Sequence, residues 1–205
     1  MPGTHGGITF QETMSGPFAL GATDPAEGAA SPNAATLAMH GTILIDDIDT
    51  FISSPGHPGH LHVVMDYPPF GTGLPAPGGV FKLFSPTGDP KLKLMVYEWP
   101  LVLNGKNYYF AGQKNVVVHP VLELWHDTTT LQTLLYEGTD KSGPVVGAGI
   151  ISLSFGQLLA MSTHFQPVGA PNAGAGFEAV SLFGKFFMGE LWDTYIKRSG
   201  ETHGL

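Results

Sequence analysis

Apolar and polar residues alternate from Ile8 to Ser15, with Ile8, Phe10 and Met14 on one side and Thr9, Gln11, Thr13 and Ser15 on the other. Only Glu12 interrupts the apolar side. A period of two predicts a half-buried β-strand. Gly21 to Pro32 mixes Gly, Ala, Pro and Asp and reads as a loop. Alternation resumes from Thr36 to Ile48, through Leu37, Met39, Ile43 and Ile45, and predicts a second strand ending in the acidic run Asp46, Asp47 and Asp49. From Ser53 to Gly79, Pro and Gly recur every few residues around one short apolar segment, Leu61 to Met65. That region is expected to be loop-rich with one embedded strand, and loops this long invite a functional reading.

Val80 to Phe84 is a short strand candidate, stopped by Ser85-Pro86-Thr87-Gly88-Asp89-Pro90. Leu92 to Leu103 and Lys106 to Val118 are β-rich and flank Asn104-Gly105, a pair that tolerates the positive φ of a type I′ turn and predicts a hairpin. Pro100, inside the first arm, is expected on an edge or at a bulge. Leu122 to Tyr136 and Val145 to Phe155 complete the strand candidates. After a loop from Gln166 to Gly176 the period changes. Val180, Phe183, Phe187, Leu191 and Tyr195, widened by Leu182, Phe186, Met188 and Trp192, predict one helix from about Phe177 to Lys197, ended near Gly200. So apolar a helix must be covered over most of its circumference. It packs on the sheet, plugs a barrel end, or meets a membrane surface or a partner chain.

Composition narrows the function classes. At 205 residues the chain reads as one large domain or one domain with extensions. Hydrophobic residues are 42% and aromatics 11%, enough for a core, whereas charged residues are only 13% beside 28 Gly and 17 Pro. That balance favours turn-rich β structure over charge-studded helices. The formal net charge of -8, with no Lys/Arg cluster, argues against nucleic acid. No Cys is present, which excludes disulfides, thiolate zinc and thiol catalysis. No stretch has the uninterrupted apolar length of a transmembrane helix. Met1 to Gly7 has neither a basic nor an apolar region, so no secretory signal is expected, and the cytoplasm is the expected location.

Several residues are candidates for chemistry. His57-Pro-Gly-His60-Leu-His62, followed by Asp66, is the best metal candidate, because His60, His62 and Asp66 share one face of an extended strand. Their spacing with Gly73 resembles the first motif of cupins, with Asp where Glu is usual; no second motif follows. Asp46, Asp47 and Asp49 lack the oxygen spacing of a calcium loop and read as a solvated strand end. Gly147-Ala-Gly149 and Gly174-Ala-Gly176 lack the surrounding βαβ pattern of a dinucleotide site. There is no Gly-x-Ser-x-Gly elbow and no phosphate loop. Glu98 beside Trp99, and His126-Asp127 beside Thr128, place titratable groups among apolar strands, where acid–base work is possible if they face a cavity.

Taken together, Phe10-x-Glu12-x-Met14-x-Gly16, Ile45-Asp-Asp47-Ile-Asp49-x-Phe51, Gly79-Val-Phe81-x-Leu83-Phe84, Met95-x-Tyr97, Gly112-x-Lys114, Leu124-Trp125-x-Asp127-Thr-Thr-Thr-Leu131, Gly147-x-Gly149-Ile150 and Phe183-Gly-Lys-Phe186-Phe187-x-Gly189-x-Leu191-Trp192-Asp193 resemble an accessory region of large bacterial proteins. Those proteins are related to cholesterol oxidases of the glucose-methanol-choline oxidoreductase family. The resemblance runs from about Ile8 to Tyr195 and implies a module associated with lipid or sterol oxidation that lies outside the flavin domain. It transfers no catalytic residue and no flavin.

The expected fold is therefore all-β and mainly antiparallel: a barrel of about eight strands, of the calycin or lipocalin kind, or a sandwich, with one C-terminal α-helix. The first functional expectation is a non-catalytic module that binds an apolar, lipid- or sterol-like molecule, or docks on a lipid-oxidising enzyme. Met14, Met95, Tyr97, Tyr109 and Trp125 are its candidate ligand-lining residues, and no cofactor is implied. The alternative is a small barrel enzyme. It would be metal-assisted through His60, His62 and Asp66, or a cofactor-free isomerase or cyclase using Glu98 or Asp127 near Tyr97. A third possibility is a structural subunit pairing as a homodimer through the C-terminal helix.

Overall fold

The computed structural model describes residues 4–89, 92–117, 130–153 and 165–192. Within them the order is β1 (Gly7–Leu20), α1 (Pro25–Ala30), β2 (Ala35–Ile45), α2 (Ile48–Ser53), β3 (Pro58–Tyr67), β4 (Gly71–Pro86), β5 (Leu92–Leu103), β6 (Lys106–Val117), β7 (Thr130–Glu137), β8 (Val145–Ser152), β9 (Gln166–Val168) and α3 (Ala173–Trp192). Each strand from β1 to β8 pairs antiparallel with the next, and β8 returns to β1, so the sheet closes into an eight-stranded barrel. Closure satisfies both edges of the sheet and decides for the barrel over the sandwich. Strand β1 is long enough to serve two neighbours on one side. Its second half pairs with β8 from Ser15 to Leu20, and its start, Gly7 to Thr9, pairs with β9.

The β5–β6 hairpin turns on Asn104 and Gly105, at φ 50° and 76°, the left-handed pair a type I′ turn requires. The register runs unbroken from Leu103↔Lys106 to Leu92↔Val117. Pro100 sits within this ladder opposite Tyr109, with no register shift, rather than at an edge or bulge. Between β8 and β1 the backbones lie so close that a Cβ on Gly149 would fall 2.4 Å from the Pro17 carbonyl oxygen. The space left over the glycines is filled by Phe18, whose ring makes edge-on contact with Tyr67 at 5.4 Å.

Several stretches differ from the sequence expectation, among them the expected loop from Gln166 to Gly176, which holds β9 and the start of α3, and the short strand Val80 to Phe84, which is the end of β4. Ser53 to Gly79 is not loop-rich: β3 and β4 form a hairpin, with register shifts at Leu61/Val63 and Met65/Tyr67. Pro75 and Pro77 of β4 are exposed; Pro77 falls in the bulge at Leu61/Val63, whereas Pro75 stays in the ladder opposite Val64. The expected loop from Gly21 to Pro32 contains α1, started by Pro25 and capped by Asp24, whose Oδ1 accepts from Ala26 N at 2.9 Å and Glu27 N at 3.0 Å. The second strand stops at Ile45 instead of Ile48, because Asp47 caps α2 by accepting from Thr50 N at 2.7 Å.

Helix α3 begins before Phe177, where the Asn172 side chain accepts from Ala175 N at 2.9 Å. Its expected end, at Lys197, lies outside the described residues. Ala179 and Phe183 are buried in the core, while Phe177 is 77% exposed. Phe183 lies 5.7 Å from Phe10, 5.0 Å from Phe165 and 6.0 Å from Phe51 of α2, so α2 and α3 cover one end of the barrel. Helix α1 lies instead on the outer face, against buried Ala148 of β8. Among the described residues no helix is long and apolar enough to cross a membrane.

Candidate functional site

The inward positions of β1 are Ile8, Phe10, Glu12, Met14 and Phe18, every one buried. The strand keeps its phase, so Glu12 carries a carboxyl into the barrel. Across the interior, β5 turns Met95, Tyr97, Trp99 and Leu101 inward, and β6 turns Phe110, Gly112, Lys114 and Val116 inward, facing pairs sharing one side of the sheet. Lys114 is 2% exposed and Glu12 7%. Lys114 Nζ sits 5.0 Å from the centroid of the Tyr97 ring, a cation–π distance. The Tyr97 hydroxyl donates a hydrogen bond to the Glu12 carboxyl. Thr133 of β7, also fully buried, gives its hydroxyl to Leu131 O at 3.4 Å.

Desolvation governs this group. Burial pushes the Glu12 carboxyl up from its ordinary value, and the Lys114 charge and the Tyr97 hydroxyl offset that only in part. Burial pushes the Lys114 amine down, again against the opposing pull of Glu12. Tyr97 is held well above the ordinary phenol value by burial and by the Glu12 charge. Among the described residues two buried side-chain atoms have no hydrogen-bond partner, Glu12 Oε1 and Trp99 Nε1. Trp99 is wholly buried and stacks on Phe110 at 5.0 Å and 10°. A carboxyl, an amine and an indole N–H are thus presented inside a largely apolar barrel, beside the hydroxyls of Tyr97 and Thr133.

The candidate ligand-lining residues divide. Met14, Met95 and Tyr97 are inward and buried. Tyr109 is not: it alternates with Phe110, faces outward, and donates to Glu98 Oε2 at 2.7 Å. Trp125 lies outside the described residues. Of the candidate acids, Glu98 is on the outer face, held by Tyr109 and by Lys141 Nζ at 2.7 Å, and does not approach the barrel interior with Tyr97. Adjacent residues of a strand point to opposite faces, so Glu98 and Tyr97 cannot serve one cavity. Asp127 and His126 lie outside the described residues.

His60, His62 and Asp66 do share the outer face of β3, as the alternation requires. They do not converge. His60 Nε2 is 2.9 Å from Asp46 Oδ2, and Asp66 accepts from Gly73 N at 2.6 Å and lies 3.3 Å from His40 Nε2. The Gly73 N–H holds Asp66 below the usual carboxylate range. His57 is turned elsewhere, its Nδ1 2.8 Å from Leu83 O and its ring 4.7 Å from Phe186. Among the described residues no group of three or more His, Asp or Glu is placed to hold a metal ion. The acidic run is likewise dispersed, with Asp47 capping α2 and Asp49 2.9 Å from His5 Nδ1.

Sequence reasoning missed Glu12 and Lys114 as site residues. The signal was present in each case: a charged residue in phase with an apolar row, Glu12 between Phe10 and Met14, Lys114 between Gly112 and Val116 and in step with Phe110. No protein-family model matches the chain, and no curated protein or solved structure matches it either.

Proposed function

We propose that the barrel is a binding module for one apolar small molecule, held inside it between Glu12 and Trp99. The observation that carries this reading is the pair of unpartnered buried atoms, Glu12 Oε1 and Trp99 Nε1. A buried polar atom without a partner costs about 1–3 kcal/mol, and a molecule with a hydroxyl or carbonyl group satisfies it. The remaining lining suits an aliphatic body. Met14, Met39 and Met65 are buried side chains that adapt to irregular shapes. An eight-stranded barrel is of a size to hold either its own side chains or one small ligand. By the resemblance noted above, that molecule is lipid- or sterol-like and the partner a lipid-oxidising enzyme.

Native mass spectrometry of gently purified protein, followed by denaturing extraction, tests this. The expected result is one apolar molecule per chain, lost or weakened in a Glu12→Gln, Trp99→Phe double variant. A chain that emerges empty, and stays empty when offered lipid alcohols and ketones, would count against the reading.

A second reading, a cofactor-free isomerase or cyclase, draws on the hydrogen bond from Tyr97 to Glu12, with Glu12 in the place expected for Glu98. There Glu12→Gln would abolish turnover of a bound ketone while leaving its binding in place.

A further inference from the structure

We propose that Lys114 is a covalent site for an apolar aldehyde, forming an imine inside the barrel with Glu12 as its counter-ion. The inference rests on the reading that the barrel takes up an apolar molecule, and it names the functional group. Lys114 is a primary amine turned into the interior of a closed barrel and 2% exposed. Its head lies over the Tyr97 ring at 5.0 Å rather than in solvent. The titratable groups facing it among the described residues are Glu12 of β1 and Tyr97 of β5, and these two are hydrogen-bonded to each other.

Burial lowers the affinity of this amine for a proton, which favours its nucleophilic form over that of an exposed lysine near neutral pH. An exposed lysine is neutral there at less than about one part in a thousand. The other lysines with described partners are held as surface cations: Lys106 at 2.7 Å from Glu137, and Lys141 at 2.7 Å from Glu98.

The chemistry balances without a further reactant. The Lys114 nitrogen adds to the aldehyde carbon, the carbinolamine loses water, and a C=N bond replaces C=O. The Glu12 carboxyl, whose hold on its proton burial strengthens, gives that proton to the departing hydroxyl or to the imine nitrogen. Its carboxylate then faces the iminium. The Oε1 atom left without a protein partner becomes the acceptor for the new N–H. Met95, opposite Lys114 on β5, and the other buried apolar side chains of the interior are suited to the aldehyde's chain.

The test incubates the full chain with decanal and cyanoborohydride at neutral pH and maps the adduct by peptide mass spectrometry. One decyl group on Lys114 is expected, with the surface lysines labelled far more slowly. Label spread over Lys82, Lys106, Lys141 and Lys185 with Lys114 unmodified would overturn the proposal. A Lys114→Met variant that stays folded should lose the adduct; the mapping of the unaltered chain decides the matter if that variant does not fold. Binding of 1-decanol, followed by Trp fluorescence, separates the two readings. Decanol bound without a Lys114 adduct from decanal removes the imine and leaves the binding module, whereas neither compound binding removes both.

Discussion

A carboxyl and an amine buried together raise the question of which proton states the folded chain carries. For Glu12 the folded value lies above the unfolded one, so its contribution to stability is full below the ordinary value of 4.5 and is lost as the pH rises through the folded value. For Lys114 the folded value lies below 10.5, so its contribution is full above that pH and is lost as the pH falls through the folded value. Comparing Glu12→Gln with its parent in a Lys114→Met background isolates the carboxyl. We expect the double variant to gain on Lys114→Met as the pH rises above about 4, by roughly 1.4 kcal/mol for each unit by which burial raises Glu12. Urea denaturation across that range checks it, and a gap that does not change with pH would show Glu12 to be an ordinary carboxyl. The same side chains mark how far residue-level chemistry was legible. Alternation set Glu12 on the apolar side of its strand, but a single charge in an apolar row reads equally as an edge or a solvated bulge until the barrel closes. Lys114 was harder still, since Gly112 thins the apolar row of β6 in which it stands, between Phe110 and Val116.

At the scale of elements, local chemistry was informative where it was regular and misleading where it was short. Asn104-Gly105 fixed the β5–β6 hairpin because only a few residues accept the backbone that turn needs. Helices α1 and α2 have six residues each, too few for a 3.6-residue period to show, and their signals were the capping Asp24 and Asp47 and, for α1, Pro25 in its first turn. The β3–β4 hairpin was hidden by Pro75, Pro77 and the glycines, whose place on a strand depends on bulges in the neighbouring ladder. Helix α3 was legible in type from its apolar stripe, but the face it buries was set by the barrel end. Phe183 is the residue that faces Phe10, Phe51 and Phe165. Its truncation to Ala should cost about 3–5 kcal/mol and loosen α3 before the barrel melts. Hydrogen exchange would report this as lost protection in α3 with β5 and β6 still protected; a uniform loss would mean that the helix and the barrel form one unit.

At the scale of the whole molecule, low charge, many Gly and Pro, and repeated strand signals pointed to an all-β barrel or sandwich, and the pairing of β8 with β1 makes it a closed eight-stranded barrel. What composition could not indicate is how the interior is divided. Aromatic side chains gather at both ends, around Phe10, Phe165 and Phe183 at one and Phe18, Tyr67 and Phe110 at the other. Along β1, Glu12 and Met14 fall between Phe10 and Phe18, so the polar group lies in the length of the barrel between those ends. On the proposed reading, this arrangement would offer an apolar molecule flanking walls and two polar anchors, Glu12 and Trp99. The most direct test is a crystal structure of protein purified without detergent, read at the interior beside Glu12. The account predicts continuous elongated density within hydrogen-bonding distance of Glu12 Oε1 or Trp99 Nε1. Isolated water molecules satisfying both atoms, with side chains filling everything else, would contradict it.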